Sequence, residues 1–218
     1  MTDSFPAIHP LGELGWTVAL GNRIDGELHR LAMGLGRRIA AARLDGVSEI
    51  ITAYSAVTVF FDPAARPEAI RARLEQLARE HGGREEREPA EATRHLIPTR
   101  YDGADLDSVA QQTGLSREEV IRRHAEREYQ VLCMGFAPGF AYLGELDPAL
   151  VLPRRSSPRT RVPPGSVAIA GAQTAVYPFA TPGGWHLIGS TLRAMFDAAR
   201  TPPALLAPGD RVRFEPVR

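Results

Sequence analysis

The sequence predicts two domains of different class: an α+β domain over residues 1–97, in the ferredoxin-like order β-α-β-β-α-β, and a β-barrel or sandwich over residues 98–218. In the first part, apolar residues at helical spacing alternate with short β-branched runs. Beyond residue 129, short apolar runs are separated by Pro and Gly instead. A chain of 218 residues is long enough for two small domains with cores of their own.

The first domain is predicted to contain strands at 14–20, 47–51, 55–61 and 92–97, and helices at 25–43 and 67–80. The first helix places Leu28, Leu35 and Ile39 on one face. The run SAVTVFF is the strongest strand signal, and the Asp62-Pro63 step ends it.

The second domain is predicted to begin with helices at 105–112 and 116–126, followed by strands at 129–135, 166–170, 174–177, 186–190 and 210–215. Ser116 and Glu119 form a capping-box pattern at the start of the second helix. The aliphatic and aromatic residues of the short runs fill the strands, and the Pro and Gly residues between them supply the turns.

Composition excludes several kinds of chemistry. All 26 basic residues are arginine, so neither a Walker-A lysine, a Schiff-base lysine nor a biotin-carrying lysine exists on this chain. The 26 acidic residues balance this charge, which argues against general nucleic-acid binding. No apolar run is long enough for a membrane span, and the N-terminus does not resemble a leader. With Cys133 as the single cysteine, we expect a cytoplasmic protein without disulfides.

Three segments could carry chemistry, and each has a structural alternative. GFAPGFAYLGEL (135–146) is either a packed loop that closes the barrel or a rigid aromatic floor for a small ligand. PRRSSPRTRVPPGS (153–166) is either a solvated basic face or a proline-stiffened site for phosphate or carboxylate. TPGGWHLIG (181–189) is either a hairpin turn with a core tryptophan or a turn whose backbone N–H groups reach a ligand.

Other candidates for chemistry are weaker. His124 shares a helix face with Val120 and Ile121, a position more typical of a buried structural histidine than of a catalyst. Cys133 lies in an apolar strand and is interpreted as a core residue. The sequence contains no ligand spacing typical of a metal site, no nucleophile elbow and no dinucleotide fingerprint.

Three stretches, IRRHAEREYQVLCMGFAPGFAYLGEL, PRRSSPRTRVPPGSVAIAGAQTAVYPFATPGGWHLIGST and PGDRVRF, resemble the B-subunit family of 5-oxoprolinase, also called allophanate hydrolase subunit 1 or KipI-like. The resemblance implies that the barrel is cyclophilin-like. It also implies one subunit of a cytoplasmic hydrolase that cleaves 5-oxo-L-proline to L-glutamate with ATP. The implied partners are the A subunit and the C subunit of that enzyme, the latter KipA-like and also called allophanate hydrolase subunit 2.

The resemblance leaves two other functions open: inhibition of a sporulation histidine kinase, as in the KipI-type branch, and one half of a carboxyltransferase in a urea carboxylase or allophanate hydrolase system. For the main function it implies ATP at a site shared with the partner, and it allows Mg²⁺ at that site. It implies a small lactam or amide substrate, no biotin on this chain, and no nucleic-acid or membrane partner.

Residue by residue, the resemblance makes His124 the candidate acid/base. The candidate substrate- or phosphate-binding residues are Arg154, Arg159, Gln173, Thr174, Gly183, Gly184 and Trp185. The candidate site-loop residues are Tyr129, Gly135, Phe136, Pro138, Gly139, Phe140, Gly165, Tyr177 and Pro178. No residue is predicted to bind a metal. Because the chain has no complete nucleotide motif, we expect it to be inactive alone.

Overall fold

The computed structural model describes residues 5–81 and 92–218 of the chain, which divides into two units between residues 90 and 91. Each unit encloses an apolar core of its own. None of the helices in the described ranges combines the length and apolar composition that a membrane span requires.

The first unit is a four-stranded antiparallel sheet with two helices. Its elements are β1 (Ala7–Pro10), β2 (Gly15–Ala19), α1 (Gly26–Ala42), β3 (Val47–Ala53), β4 (Ala56–Phe61) and α2 (Pro67–His81), with strand order β1-β2-β4-β3. The Asp25 carboxylate caps α1 by accepting hydrogen bonds from two N–H groups of the first turn. The predicted apolar face is buried, since Leu35 and Ile39 pack with Leu74 of α2 in the core of this unit.

The predicted ferredoxin-like order is wrong in its last strand. The strand predicted at 92–97 exists as β5 (Arg94–Thr99), but it pairs in parallel with β13 (Arg211–Pro216) of the second unit. The sheet edge beside β2 is occupied instead by β1, a strand that was not predicted. Apolar alternation identifies a strand but not its partner. Since β5 belongs to the unit after residue 90, the domain predicted to end at residue 97 does not contain it.

The second unit combines two helices with a sheet of short strands. After β5 come α3 (Leu106–Thr113), α4 (Arg117–Ala125), β6 (Tyr129–Met134), β7 (Ala141–Gly144), a 3-10 turn (Pro148–Leu150), β8 (Arg159–Val162), β9 (Ser166–Ala170), β10 (Gln173–Val176), β11 (Thr181–Gly183), β12 (His186–Ser190) and β13. Both predicted helices and all five predicted strands are confirmed, and the Ser116 hydroxyl caps α4 by accepting from the Glu119 N–H. The strands β7, β8 and β11 were not predicted.

Seven strands form a nearly closed barrel, in the order β12-β9-β10-β7-β6-β13-β5. The two outermost strands meet where Arg100, just after β5, and Ser190, at the end of β12, exchange backbone hydrogen bonds of 2.8 and 2.7 Å. Gly189 permits this approach, because a Cβ there would lie 2.6 Å from the Arg100 carbonyl oxygen. Because the outermost strands meet, the second unit is a barrel and not a sandwich. Its predicted relationship to the cyclophilin fold stays a prediction.

Alternation along β9 divides the apolar residues of the second unit into two clusters. Val167 and Ile169 belong to the main barrel core, whereas Ala168 and Ala170 belong to a smaller, aromatic cluster. The small alanine side chains leave room on that face of the sheet for large rings. The candidate site is built on this second cluster.

Candidate functional site: an aromatic pocket beside an arginine-rich loop

The loop between β6 and β7 is tight and holds aromatic residues in fixed positions. Gly139 has a φ of 78°, and a Cβ there would lie 2.7 Å from the Cβ of Phe196. Phe136 also has a positive φ, 68°, which is rare for a bulky residue, and its side chain is 61% exposed. The loop therefore presents one aromatic ring outward and fixes the others behind it.

Phe140 lies at the centre of the aromatic cluster. Its ring meets four others edge to face, with centroid separations of 4.9 Å to Tyr142, 5.2 Å to Phe136, 5.3 Å to Tyr177 and 5.9 Å to Trp185. Edge-to-face contacts of this kind favour fixed ring orientations. The cluster thus forms a rigid apolar wall rather than a loose patch.

A pocket of about 150 Å³ opens in this wall, and we call it the ring pocket. It is lined by Phe136, Phe140, Tyr142, Arg154, Tyr177, Pro182, Gly183, Gly184 and Trp185. Three segments far apart in the sequence thus meet at one place: the glycine-rich aromatic loop, the arginine-rich loop and the Gly-Gly-Trp turn. The volume suits a ligand smaller than a drug-sized molecule, and Arg154 is the charged residue of the lining.

The contacts of Arg159 that the structure shows are with the protein itself, and its anion-binding role stays a prediction. The arginine-rich loop has no acidic residue near it in the sequence, but the structure brings Asp105 to it. The Asp105 Oδ1 atom accepts hydrogen bonds from Arg155 Nη1 at 2.8 Å and from Arg159 Nη2 at 2.7 Å. Arg159 is therefore engaged in a charge pair within the protein, whereas Arg154 makes no hydrogen bond or ion pair with the described residues.

Asp105 is a site residue that the sequence did not reveal. It precedes α3, where an aspartate normally caps the helix, yet its side chain makes no capping hydrogen bond. Its second oxygen, Oδ2, accepts the Leu187 N–H at 2.7 Å, and the side chain is only 4% exposed. Burial would raise the pKa of Asp105, but the hydrogen bonds from Arg159 and Leu187 and the charges of both arginines lower it below 3.8.

His124 does not have the accessibility that an acid/base residue needs. It is completely buried, and both ring nitrogens are bonded, Nδ1 with Tyr101 Oη and Nε2 with Thr174 Oγ1, each at 2.8 Å. The Thr174 hydroxyl donates to the Ala168 carbonyl, so it accepts the proton of Nε2, and Nδ1 accepts from Tyr101. Burial lowers the pKa of His124 to about 3, so the ring is neutral and structural.

Several other predicted residues also lie outside the ring-pocket lining. Thr174 and Tyr129 both support His124, the tyrosine by donating its hydroxyl to the His124 carbonyl at 2.8 Å. Gln173 is buried in β10 beside Thr174. Gly165 lies in a turn with a φ of 77°, and its backbone N–H donates to the Tyr177 carbonyl. The remaining four predicted residues outside the lining are Gly135, Pro138, Gly139 and Pro178.

A larger apolar groove of about 840 Å³ lies on the other side of Phe136. Its walls are the loop from Met134 to Gly139 and the segment from Ala204 to Pro208, with His95 and Asp210 also in the lining. The His95 Nε2 atom lies 3.0 Å from Asp210 Oδ2. Phe136 contributes to both lining sets, so this exposed ring separates the groove from the ring pocket.

The described ranges contain no group of three or more His, Cys, Asp or Glu side chains placed to hold a metal ion.

The two glycines of the Gly-Gly-Trp turn should respond differently to one added methyl group. A Cβ at Gly183 would collide with the Tyr177 hydroxyl, whereas a Cβ at Gly184 would lie 3.6 Å from Pro158 Cγ, an ordinary contact. We expect Gly183→Ala to cost about 1–3 kcal/mol through overpacking, and Gly184→Ala to cost less than about 0.5 kcal/mol. Urea unfolding of both variants measures the difference, and equal losses would show that Tyr177 does not fix this wall.

The chain is similar to a carboxyltransferase family along most of its length. The family model described as "Carboxyltransferase domain, subdomain C and D" matches residues 6–206. The B subunit of the Bacillus subtilis (strain 168) 5-oxoprolinase is 39% identical over 218 residues, which cover 95% of this chain and 91% of that protein. The B subunit of the Escherichia coli O157:H7 5-oxoprolinase is 55% identical over 123 residues, 55% of this chain and 56% of the relative.

Solved structures are also similar to this chain over most of its length. The crystal structure of TTHA0988 in space group P212121 is similar at 41% identity and a TM-score of 0.80, over 94% of this chain but only 40% of the other. The chain therefore spans less than half of that protein. The Kluyveromyces lactis urea carboxylase, 19% identical with a TM-score of 0.77 over 97% of this chain and 22% of its own, shows the fold alone. Because one family model covers most of the chain and a 39% identical relative matches nearly all of it, the chain belongs to the B-subunit family of 5-oxoprolinase.

Proposed function

We propose that this chain is the B subunit of an ATP-dependent 5-oxoprolinase, which cleaves 5-oxo-L-proline to L-glutamate together with the C and A subunits. The observation that carries the proposal is the convergence of three separate motifs on the ring pocket. The relatives named as the B subunit of 5-oxoprolinase support the same activity. We place the complex in the cytoplasm and its barrel among the cyclophilin-like folds.

The ring pocket has the size and chemistry for a small cyclic amide. Its walls are aromatic rings and glycine backbone, which pack against the faces of a five-membered ring. Arg154 supplies a guanidinium for a carboxylate or a phosphorylated oxygen, and a planar two-pronged donor suits either group. The substrate is thus a lactam that carries one acidic group.

The chemistry requires activation of a resonance-stabilised amide. In the proposed sequence the lactam oxygen attacks the terminal phosphorus of ATP. An O–P bond forms, the bond to the ADP oxygen breaks, and ADP leaves with the electron pair. Water then adds to the ring carbon, the C–N bond breaks and the nitrogen takes a proton, which leaves an acyl phosphate. A second water releases phosphate and L-glutamate. The protein's part is positioning and charge stabilisation.

The ring pocket lacks a general base of its own. Its lining includes neither carboxylate, histidine nor cysteine. Burial raises the pKa of both Tyr142 and Tyr177, so neither phenol is a base near neutral pH. The partners therefore supply the base and the rest of the nucleotide site. Mg²⁺, if required, arrives with the nucleotide phosphates.

We place the contact with the C subunit on the barrel, at the apolar groove. The exposed ring of Phe136 and the apolar wall from Ala204 to Pro208 are typical of an interface centre. Phe136 borders both the groove and the ring pocket, so the partner would lie next to the substrate.

A second candidate is one half of a biotin-dependent carboxyltransferase, which the description of the family model favours. The chain has no lysine to carry biotin, so the biotinyl group would come from a partner. In this case the ring pocket would receive the ring of biotin rather than a lactam substrate.

Co-expression with the C and A subunits, followed by an assay of the purified complex, tests the proposal. We expect L-glutamate release from 5-oxo-L-proline that requires ATP and all three subunits, and no turnover by this chain alone. Turnover by the chain without partners would contradict the shared site. A complex that carboxylates or decarboxylates through biotin, without ATP-dependent glutamate release, would favour the second candidate.

A further inference from the structure

A second pocket lies beside the ring pocket and shares Arg154 with it. This polar pocket has a volume of about 440 Å³ and is lined by Gln112, Pro153, Arg154, Arg155, Ser156, Ser157 and His186. Every lining residue except Pro153 has a side chain that can form hydrogen bonds, and no carboxylate belongs to the lining. A pocket of this composition is suited to an anion.

The charges around the polar pocket are not neutralised. Arg154 has no hydrogen-bond or ion-pair partner among the described residues. Arg155 donates through Nη1 to Asp105, but its buried Nε has no partner. Because Asp105 shares its single negative charge with Arg159, the two arginines of the lining retain a net positive charge.

His186 adds a polar atom that the protein leaves unsatisfied. Its side chain is nearly inaccessible, at 4%, and Nε2 lies 2.9 Å from the Pro153 carbonyl oxygen. A carbonyl only accepts, so Nε2 carries the proton and Nδ1 is the acceptor of the neutral ring. Nδ1 is buried without a partner. A hydrogen bond from a ligand hydroxyl would satisfy it.

The loop that carries these groups is held in place before any ligand arrives. The Arg155 N–H donates to the Gly184 carbonyl at 2.8 Å, and the His186 ring holds the Pro153 carbonyl. The two anchors join the arginine-rich loop to the Gly-Gly-Trp turn and to β12. An ordered loop loses little further entropy on binding, which favours affinity for a small ligand.

We propose that the polar pocket binds a phosphoryl group, with Arg154 placed to contact both that group and the occupant of the ring pocket. Two guanidinium-bearing residues and two hydroxyls suit tetrahedral oxygens better than the planar carboxylate of an amino acid. The inference rests on the proposed function only where it identifies the phosphoryl group as that of ATP. The shared arginine then lies where the lactam oxygen would meet the terminal phosphate.

Calorimetric titration of the full chain with sodium tripolyphosphate, at constant ionic strength, tests the site without any partner or turnover. We expect saturable binding that Arg154→Gln weakens by about tenfold or more. The matched control is Arg161→Gln, in strand β8 of the same arginine-rich segment, exposed and in neither lining set. We expect its affinity for tripolyphosphate to change by less than about twofold. ATP should compete with tripolyphosphate, and sodium acetate at equal ionic strength should not.

The outcomes separate this inference from the proposed function. Absence of tripolyphosphate binding, equal weakening by the two variants, or displacement by acetate would overturn the phosphoryl site. If tripolyphosphate binds as expected while the assembled complex releases no glutamate, the proposed function fails and the site stands. If the wild-type complex releases glutamate but Arg154→Gln leaves tripolyphosphate binding unaltered, this inference fails and the proposed activity stands.

Discussion

Asp105→Asn is expected to destabilise the second unit by about 3 kcal/mol, because it leaves two partly buried guanidiniums without a counter-charge. An asparagine side chain has one acceptor oxygen, which cannot serve both the Leu187 N–H and the arginine pair as the two carboxylate oxygens do. The arginine-rich loop should loosen with it. Urea unfolding of the variant and the wild type measures the cost.

The matched control for this prediction is Asp107→Asn. Asp107 also pairs with an arginine, Arg117, at 2.7 Å, but its side chain is 77% exposed. Exposed ion pairs contribute less than about 1 kcal/mol, so this variant should be close to the wild type. Equal losses for Asp105→Asn and Asp107→Asn would show that the buried pair does not hold the loop.

The second large effect is a loss of stability in acid that arises from His124. Burial lowers its pKa from 6.5 to about 3 in the folded state, whereas the unfolded chain binds the proton near pH 6.5. The contribution of the buried, neutral His124 ring to the free energy of unfolding is therefore fully present above pH 6.5 and is lost as the pH falls toward 3. Within that window the free energy of unfolding should fall by about 1.4 kcal/mol per pH unit from this group.

Two measurements check the His124 prediction. Urea unfolding between pH 7 and pH 4 should show a steeper decline for the wild type than for His124→Asn, whereas His9→Asn, at an exposed position, should keep the wild-type slope. If His124→Asn does not fold, the NMR titration of the His124 ring in the wild type decides instead. A titration midpoint near 6.5 would contradict the buried, neutral ring.

The separate segments that line the ring pocket could be predicted from sequence to a large extent, because each of them is short and local. The glycine and proline spacing around Phe140 and Trp185 predicted rigid aromatic turns, and both residues line the pocket. For these segments the choice between packing and ligand binding was left open by sequence. The structure shows that one set of aromatic rings packs together and also lines a pocket.

The contacts that sequence reasoning missed are long-range. Asp105 is 54 residues from Arg159, and nothing near either residue indicates that they meet. The same holds for β5, whose alternation predicted a strand but not its pairing with β13 more than a hundred residues later. His124 was a plausible acid/base by type, although its place on an apolar helix face already favoured a buried, structural role, and the structure buries it completely.

The central claim is that Arg154 and the ring pocket are this chain's contribution to the 5-oxoprolinase site. The most direct test is the kcat/KM of the reconstituted complex for 5-oxo-L-proline with Arg154→Gln against Arg161→Gln, after size exclusion has shown that both complexes assemble. Loss of a charge-assisted contact should lower kcat/KM by about ten- to a hundredfold for Arg154→Gln, and Arg161→Gln should match the wild type. Equal kcat/KM values for the two variants would contradict this claim.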